Sequence, residues 1–440
     1  MLNSFRQRVF RMLSLSTTNI MADSDAEEAV MPESLLKREH VLAALTADRG
    51  HTAHLKSWSM RQFTEAGENA TAFVACVIVE FSQNGKIEKT NYIAKLNPLR
   101  GETWSDFMHM AFHKESKLYQ EIEPMLTMLL EKRGLDALRI PRCLFSSLEP
   151  DQEVIILDDL RGQGFRKYDR RKTMDIAHAT VVLQEMARFH AASMLQVTQI
   201  PDFEVKYDFL CKHWCNYKAD AGDTYRVVMS DNLENVRVLL QTEEGYERAA
   251  DWVERLKPQV LSMFEEQTAT TASFTVICHL DLVNNNLLFR YNERGEPIDV
   301  RILDFQMCYI ASLATDLAEF FYTCLGASDR KTHLDCLLST YYASFSEVLE
   351  ASGTAMPFTY KELHEEYKCK FLFGVLAAIW KLPFIIAEGD EIPDMDNYVD
   401  QEAFCQTQQR NMLTMLKKYK NFHLRFLSIF DEVCDLTGQV

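Results

Sequence analysis

The chain has 440 residues, of which 47% are hydrophobic and 25% charged, with only 15 Gly and 11 Pro. That balance suits a soluble globular protein of one large domain or two to three ordinary ones, and it excludes a collagen-like or largely disordered chain. Asp and Glu number 64 against 47 Lys and Arg, a formal charge of −17, which argues against nucleic acid as a partner because phosphate binding needs a basic surface.

Residues 1–35 read as a disordered leader with an acidic patch at 23–28. Arg6, Arg8 and Arg11 precede the first acid, Asp23, a feature shared with mitochondrial transit peptides. A frayed leader on a cytoplasmic protein is the simpler reading. Helical spacing begins in SLLKREHVLAAL (34–45), with Ser34 as a candidate cap. A strand-rich block comes next. SMRQFTEAG (59–67) predicts a strand ending at Gly67, and TAFVACVIVEF (71–81) a buried one. Asn84-Gly85 signals a hairpin, with IEKTNYIAKL (87–96) as the returning strand. A helix is predicted over 104–126, then a strand over EVIILDDL (153–160).

The remainder is mostly helical. TVVLQEMARFHAASML (180–195) has apolar residues at helical spacing, and 232–265 is amphipathic. TVICHLDLVNNNLLF (275–289) sets two short apolar strands around a polar loop, and IDVRILDF (298–305) is a third. The apolar run FLFGVLAAIW (371–380) is interrupted by Lys381 and Pro383. Ten residues are too short for a membrane span, which needs about 20, so a buried helix is expected. The 11 Cys are odd in number and scattered, and Cys211 and Cys215 have no second pair at zinc-site spacing. Reduced thiols in the cytosol are expected. The order of elements predicts an α+β chain of two lobes joined near 158–166, a small antiparallel-sheet N-lobe and a larger, mainly helical C-lobe, with a cleft between them.

The cleft residues are the informative ones. His279, Asp281 and Asn286 fit the kinase catalytic loop H-x-D-x-x-x-x-N at full spacing, and Asp304-Phe305-Gln306 comes after the next strand, where a metal aspartate belongs. Asn286 and Asp304 offer hard oxygen ligands for Mg²⁺. Asp281 is then a nearby carboxylate able to orient or deprotonate a hydroxyl. Lys95, in the apolar strand NYIAKL, is the candidate phosphate lysine, and Glu115 its helix partner, with Glu121 and Glu123 as rivals. GENAT (67–71), with Gly67 and Asn69, would cover ATP, although it is not a Gly-rich loop. Backbone atoms of Asp159 and Leu160 would meet the adenine edge. His190 reads as a packed core histidine and Asp316 as a helix cap, with bracing of the metal loop as its other role.

In order, Phe112, Glu115 and Tyr119 (FxxExxxY), Asp158–Leu160 (DDL), Phe189–Ser193 (FHAAS), His279–Asn286, Asp304–Gln306 (DFQ) and Asp316-Leu317 resemble the ecdysteroid kinase-like family of insects. The resemblance covers roughly residues 40–425. It implies the protein-kinase-like fold shared with choline kinases and aminoglycoside phosphotransferases. It also implies ATP- and Mg²⁺-dependent phosphorylation of a small-molecule hydroxyl, with ecdysteroids as the named substrate and hormone inactivation or detoxification as the role. Residues 36–160 would then bind the nucleotide, and 161–440 would carry the catalytic loop and substrate site. Two departures stand out. Leu280 replaces the usual Gly after the loop histidine, which is expected to reshape the loop because leucine resists positive φ. Asp158 replaces Glu. Trp380, Phe384, Tyr398 and Phe404 would suit a steroid, although core packing accounts for most of them, and the acidic stretch 387–402 would suit a cation such as choline, although a solvated surface loop is the simpler reading. A choline- or ethanolamine-type kinase and a nucleotide-binding pseudokinase are the alternatives. A protein kinase is disfavoured, since no D-F-G…A-P-E segment is present.

Overall fold

In strand 87–96 alternate residues face opposite ways, and this period sorts the N-lobe into two packed faces. The computed structural model describes residues 31–63, 72–98, 102–213, 216, 221–391 and 401–437. The nucleotide-covering loop with Gly67 and Asn69, Cys215, Tyr398 and most of the leader lie outside these residues, and so do the side chain of Phe404 and much of the acidic stretch. The leader is shorter than expected: Pro32–Leu35 forms a 3-10 turn and Leu35 is buried. Helix α1 (Arg38–Arg49) comes next.

Strands β1 (His54–Gln62), β2 (Phe73–Gln83) and β3 (Lys86–Leu96) form an antiparallel meander. Asn84 and Gly85 both adopt positive φ, 51° and 76°, as a two-residue hairpin turn requires. Strands β4 (Cys143–Ser147) and β5 (Val154–Asp158) complete a five-stranded sheet in the order β1-β2-β3-β5-β4. Strand β4 is not foreshadowed in the sequence, since CLFSS is too short and mixed to show a period. Tyr92, Ala94 and Leu96 of β3 pack with Val154 and Ile156 of β5 against Val41, Ala44 and Leu45 of α1. Ile93 and, from β5, Ile155 and Leu157 turn the other way, into the main core. Lys95 stands on that second face.

The helix predicted over 104–126 is longer and interrupted. Helix α2 (Glu102–Lys117) runs into a π turn (Leu118–Ile122) and then α3 (Glu123–Glu131), with Pro124 in its first turn. After β5 the chain enters the helical lobe through a short strand β6 (Arg166–Lys167) and α4 (Ile176–Gln199). The amphipathic stretch resolves into α5 (Ala221–Leu240), α6 (Glu247–Leu256) and α7 (Val260–Thr268). Strand β7 (Thr275–Cys278) delivers the polar loop, and β8 (Leu287–Tyr291) and β9 (Pro297–Ile302) come after it. The strands flanking the loop are not neighbours: β7 pairs with β10 (Tyr309–Ser312), whereas β8 lies between β6 and β9. Helices α8 (Leu313–Cys324), α9 (Ala327–Ala351), α10 (Tyr360–Ile386), α11 (Gln401–Lys418) and α12 (Lys420–Thr437) complete the lobe. This is the α+β arrangement expected, a small antiparallel sheet ahead of a larger, mainly helical part.

Helix α10 contains the run 371–380 but continues through both Lys381 and Pro383. It is long and apolar enough to cross a membrane, yet 61% of its most apolar window is buried inside the protein. Its contact with α8 depends on Gly374. A Cβ there would lie 2.7 Å from the carbonyl carbon of Ala318 and from Cδ2 of Tyr322. Backbone cannot move aside cheaply, so Gly374→Ala is expected to destabilise the protein by about 2–4 kcal/mol, read as a lower urea midpoint at unchanged slope.

Candidate active site

Leu280 adopts φ 54°, the left-handed conformation that its glycine counterpart would take freely. Leucine pays roughly 1–2 kcal/mol for that backbone. The loop nevertheless keeps its shape, because a buried carboxylate holds it. Asp316 Oδ2 accepts from His279 N–H at 2.6 Å and Oδ1 from Leu280 N–H at 2.9 Å. The Leu280 side chain is buried in the main core. Leucine therefore takes the glycine-like backbone it is expected to resist, and its side chain packs inward. Asp316 is not the helix cap either: Ser312 caps α8, accepting from Ala314 N–H. Its other neighbour is His190, whose Nε2 lies 3.1 Å from Oδ2 while Nδ1 meets Tyr341 Oη at 2.8 Å. Burial alone would raise the Asp316 carboxyl, but its hydrogen bonds from the His190 side chain and the His279 backbone help hold it below the ordinary range. His190, Cys278 and Asp316 come close enough to hold an ion. Both His190 nitrogens are engaged within the protein, so hydrogen bonding accounts for the cluster.

The carboxylate of Asp281 is held on both oxygens. Asn286 Nδ2 donates to Oδ2 at 2.9 Å and to the Asp281 carbonyl at 2.8 Å. Lys381 Nζ donates to Oδ1 at 2.8 Å, to Leu280 O at 3.0 Å and to Glu319 Oε1. Glu319 Oε2 accepts, at 3.4 Å, from Leu282 N–H. Asp316 and Glu319 are three residues apart on α8, so one helix face grips both sides of the loop. Neither Lys381 nor Glu319 stands out in the sequence. His279 is expected among the catalytic residues, but it is spent on the frame. Its Nε2 meets Leu303 O at 2.9 Å, its Nδ1 accepts from Asp281 N–H at 3.2 Å, and its ring packs on Phe305. Burial lowers its pKa. A neutral ring with both nitrogens occupied ties the loop to the DFQ segment and has no free proton to move.

Lys95 forms ion pairs with Glu115 and, at 2.7 Å, with Asp304 Oδ1. Burial would lower its pKa, but the two carboxylates raise it and keep it charged. The rivals are engaged elsewhere: Glu121 pairs with Lys117, and Glu123 accepts from Thr127. Burial pushes the Glu115 carboxyl up to about 7 even against the pull of Lys95, and its Oε1 is buried without a partner. The preceding residue, Lys114, donates to Cys308 O at 2.6 Å, so α2 grips β3 and the DFQ segment together. Asp304 has φ 67°, and Leu303 N–H donates to Asn286 O at 2.9 Å, which sets the two candidate metal ligands on adjoining segments. Asn286 turns its amide nitrogen to Asp281, so its oxygen points away from that carboxylate. A carboxylate from Asp304 and an amide oxygen from Asn286 are donor types that suit Mg²⁺. Asp159 and Leu160 come after β5, where the chain leaves the sheet. Asp159 caps the turn Leu160–Gln163 and pairs with Arg161, and Leu160 is buried.

Residues 66–354, more than half of the chain, match the profile of the ecdysteroid kinase-like family. An uncharacterized kinase-like protein of Caenorhabditis elegans is 23% identical over 230 residues, 52% of this chain and 56% of that one, so the match spans little more than half of that relative. Two solved structures bear a distant likeness to the chain. The GDP complex of wild-type aminoglycoside 2'-phosphotransferase-IIIa has a TM-score of 0.40 at 10% identity, over 92% of this chain and 100% of that one. A choline kinase from Streptococcus pneumoniae has 0.34 at 12%, over 87% and 99%.

The frame around the loop can be tested in two ways. Asp316→Asn puts an amide where two N–H donors need an acceptor, and is expected to cost about 2–4 kcal/mol in urea unfolding. Burial pushes the Glu319 carboxyl up to about 7 from 4.5. The folded state then holds more protons than the unfolded chain between those values, so stability declines as pH rises from about 4.5 to about 7. Glu319→Gln is expected to flatten that segment of a stability–pH curve, and an unchanged slope would refute the assignment.

Proposed function

The chain belongs to the ecdysteroid kinase-like family, and on that premise we propose that it is a small-molecule kinase. It transfers the γ-phosphate of ATP to a hydroxyl of an ecdysteroid or a similar hydrophobic alcohol. The observation that carries this reading is the meeting of two residue sets on adjoining segments: Lys95 paired with Glu115 and Asp304, and Asp281 held beside Asn286, with Leu303 N–H donating to Asn286 O between them. The N-lobe, 36–160, takes the nucleotide and the C-lobe, 161–440, the acceptor.

Each residue has a distinct task. Lys95, kept charged by its carboxylates, binds the α- and β-phosphates. Asp281 accepts the proton of the acceptor hydroxyl, or orients it, with its carboxylate fixed on both oxygens. Asn286 and Asp304 would hold Mg²⁺, which when bound supplies charge neutralisation at the phosphates. The protein does little covalent work. Positioning and charge complementarity carry the rate, so each fixed group matters. The pseudokinase alternative rests on Leu280 alone, and the loop keeps its shape with leucine in place. Trp380 and Phe384, half-buried and ring-to-ring at 6.1 Å on α10, support an apolar acceptor. The described cysteines are free thiols, in keeping with a cytoplasmic protein.

The test is phosphate transfer from Mg²⁺-ATP to ecdysteroids, sterols, plant glycosides and choline, read by mass spectrometry. Asp281→Asn is expected to retain Mg²⁺-ATP affinity and lose transfer by about 10³-fold or more. Retention of most of the rate would remove Asp281 from its role. Asp304→Ala is expected to weaken Mg²⁺-dependent nucleotide binding by roughly tenfold or more, read by calorimetry.

A further inference from the structure

Lys381 lies on α10, about a hundred residues beyond the loop it touches, and no part of the kinase layout calls for it. An ammonium group carries three donors. All three are used: Leu280 O at 3.0 Å, Asp281 Oδ1 at 2.8 Å, and Glu319 Oε1. The side chains of Lys381 and Asp281 are 19% and 18% exposed, so both reach solvent, whereas Glu319 at 1% is sealed behind them. The helix that presents Lys381 cannot drift, because Gly374 seats α10 directly on the backbone of α8, the helix that carries Glu319.

We propose that Lys381 is a positioning and specificity-determining residue: it fills, with the protein's own ammonium, the slot between Asp281 and Glu319, so that the site takes acceptors with no cationic amine beside the reacting hydroxyl. The inference rests on the kinase reading and deepens it. Two carboxylates and a carbonyl around one point would attract the ammonium of an amino alcohol whose hydroxyl approached Asp281. Here that cage is closed by a tethered cation. A second ammonium would have to sit within a few ångströms of the first, where like charges repel strongly at the low dielectric of a cleft. A neutral alcohol meets no such penalty. The same contact fixes which oxygen of Asp281 faces the acceptor, since Oδ1 is committed to Lys381 and Oδ2 to Asn286.

The experiment compares matched acceptors. Choline and 3,3-dimethylbutan-1-ol share a shape and differ in charge; an ecdysteroid and its amino-substituted analogue are a second pair. The protein is expected to favour the neutral member by roughly tenfold or more in kcat/KM. Lys381→Met with Glu319→Gln removes the cation without stranding a buried carboxylate, and should narrow that preference by about tenfold while Mg²⁺-ATP affinity holds. Lys381→Arg should keep the preference. Transfer lost in Lys381→Ala should return in part on adding ethylammonium, a rescue that a purely structural lysine would not show. Transfer with an unchanged preference in the double variant, or a wild-type preference for the cationic members, overturns this inference and leaves the kinase reading intact. Absence of transfer to every alcohol overturns both.

Discussion

The N–H groups of His279 and Leu280 point the same way only because Leu280 lies in the left-handed region, and the buried carboxylate of Asp316 takes both. That pair of hydrogen bonds is the constraint on which the site is built. It fixes where β7 ends and where Asp281 begins, and it offsets the backbone cost of a leucine at that φ. An unsatisfied buried carboxylate would be intolerable, so the bonds are mutual requirements: the loop needs Asp316, and Asp316 needs the loop. His190 and Tyr341 extend the same chain of contacts into α4 and α9. The catalytic loop is thus anchored to the middle of the helical lobe.

A second set of contacts joins the two lobes. Lys95 comes from the sheet, Glu115 from α2 and Asp304 from the segment after β9, and they meet where the sheet's inner face closes on the helical lobe. Three charged groups in so dry a place contribute little net stability by themselves, since their mutual attraction is set against the cost of leaving water. What they supply is geometry. The partner-less Oε1 of Glu115 marks the cost of that arrangement.

Much of this is legible in the sequence, and the reasons divide by distance along the chain. Asn84-Gly85 and the alternation through Lys95 are local patterns, and each has the structural counterpart it predicts; the spacing of His279, Asp281, Asn286 and Asp304 is local too, and those residues come together on adjoining segments. Glu115 can be named but not separated from Glu121 and Glu123, because choosing among them needs the direction in which α2 presents its faces. Local spacing suggests a cap for Asp316, whereas its partners lie 36 to 126 residues away. Lys381 reads as an interruption in an apolar run, and nothing near Glu319 singles it out. The one signal available is a lysine inside a buried helix, a residue that does not stay buried without an acid to meet it. The leucine at 280 misleads for a related reason: the propensity argument is sound, but a tertiary contact outweighs it.

The π turn at Leu118–Ile122 has a consequence for how this part of the chain can vary in length. A π turn holds one residue more than the α-helical path it replaces. Upstream of it, Glu115 must face Lys95; downstream, Leu126, Leu129 and Leu130 must face the core. Each residue added to or taken from a helix rotates the downstream side chains by about 100°. A single-residue deletion that regularised the turn would remove just that extra residue and leave both faces aligned, whereas a residue added or lost elsewhere in the helix would satisfy either the ion pair or the core, but not both. Between Glu115 and Leu130 the π turn is thus the place where the helix can lose a residue and still serve both faces.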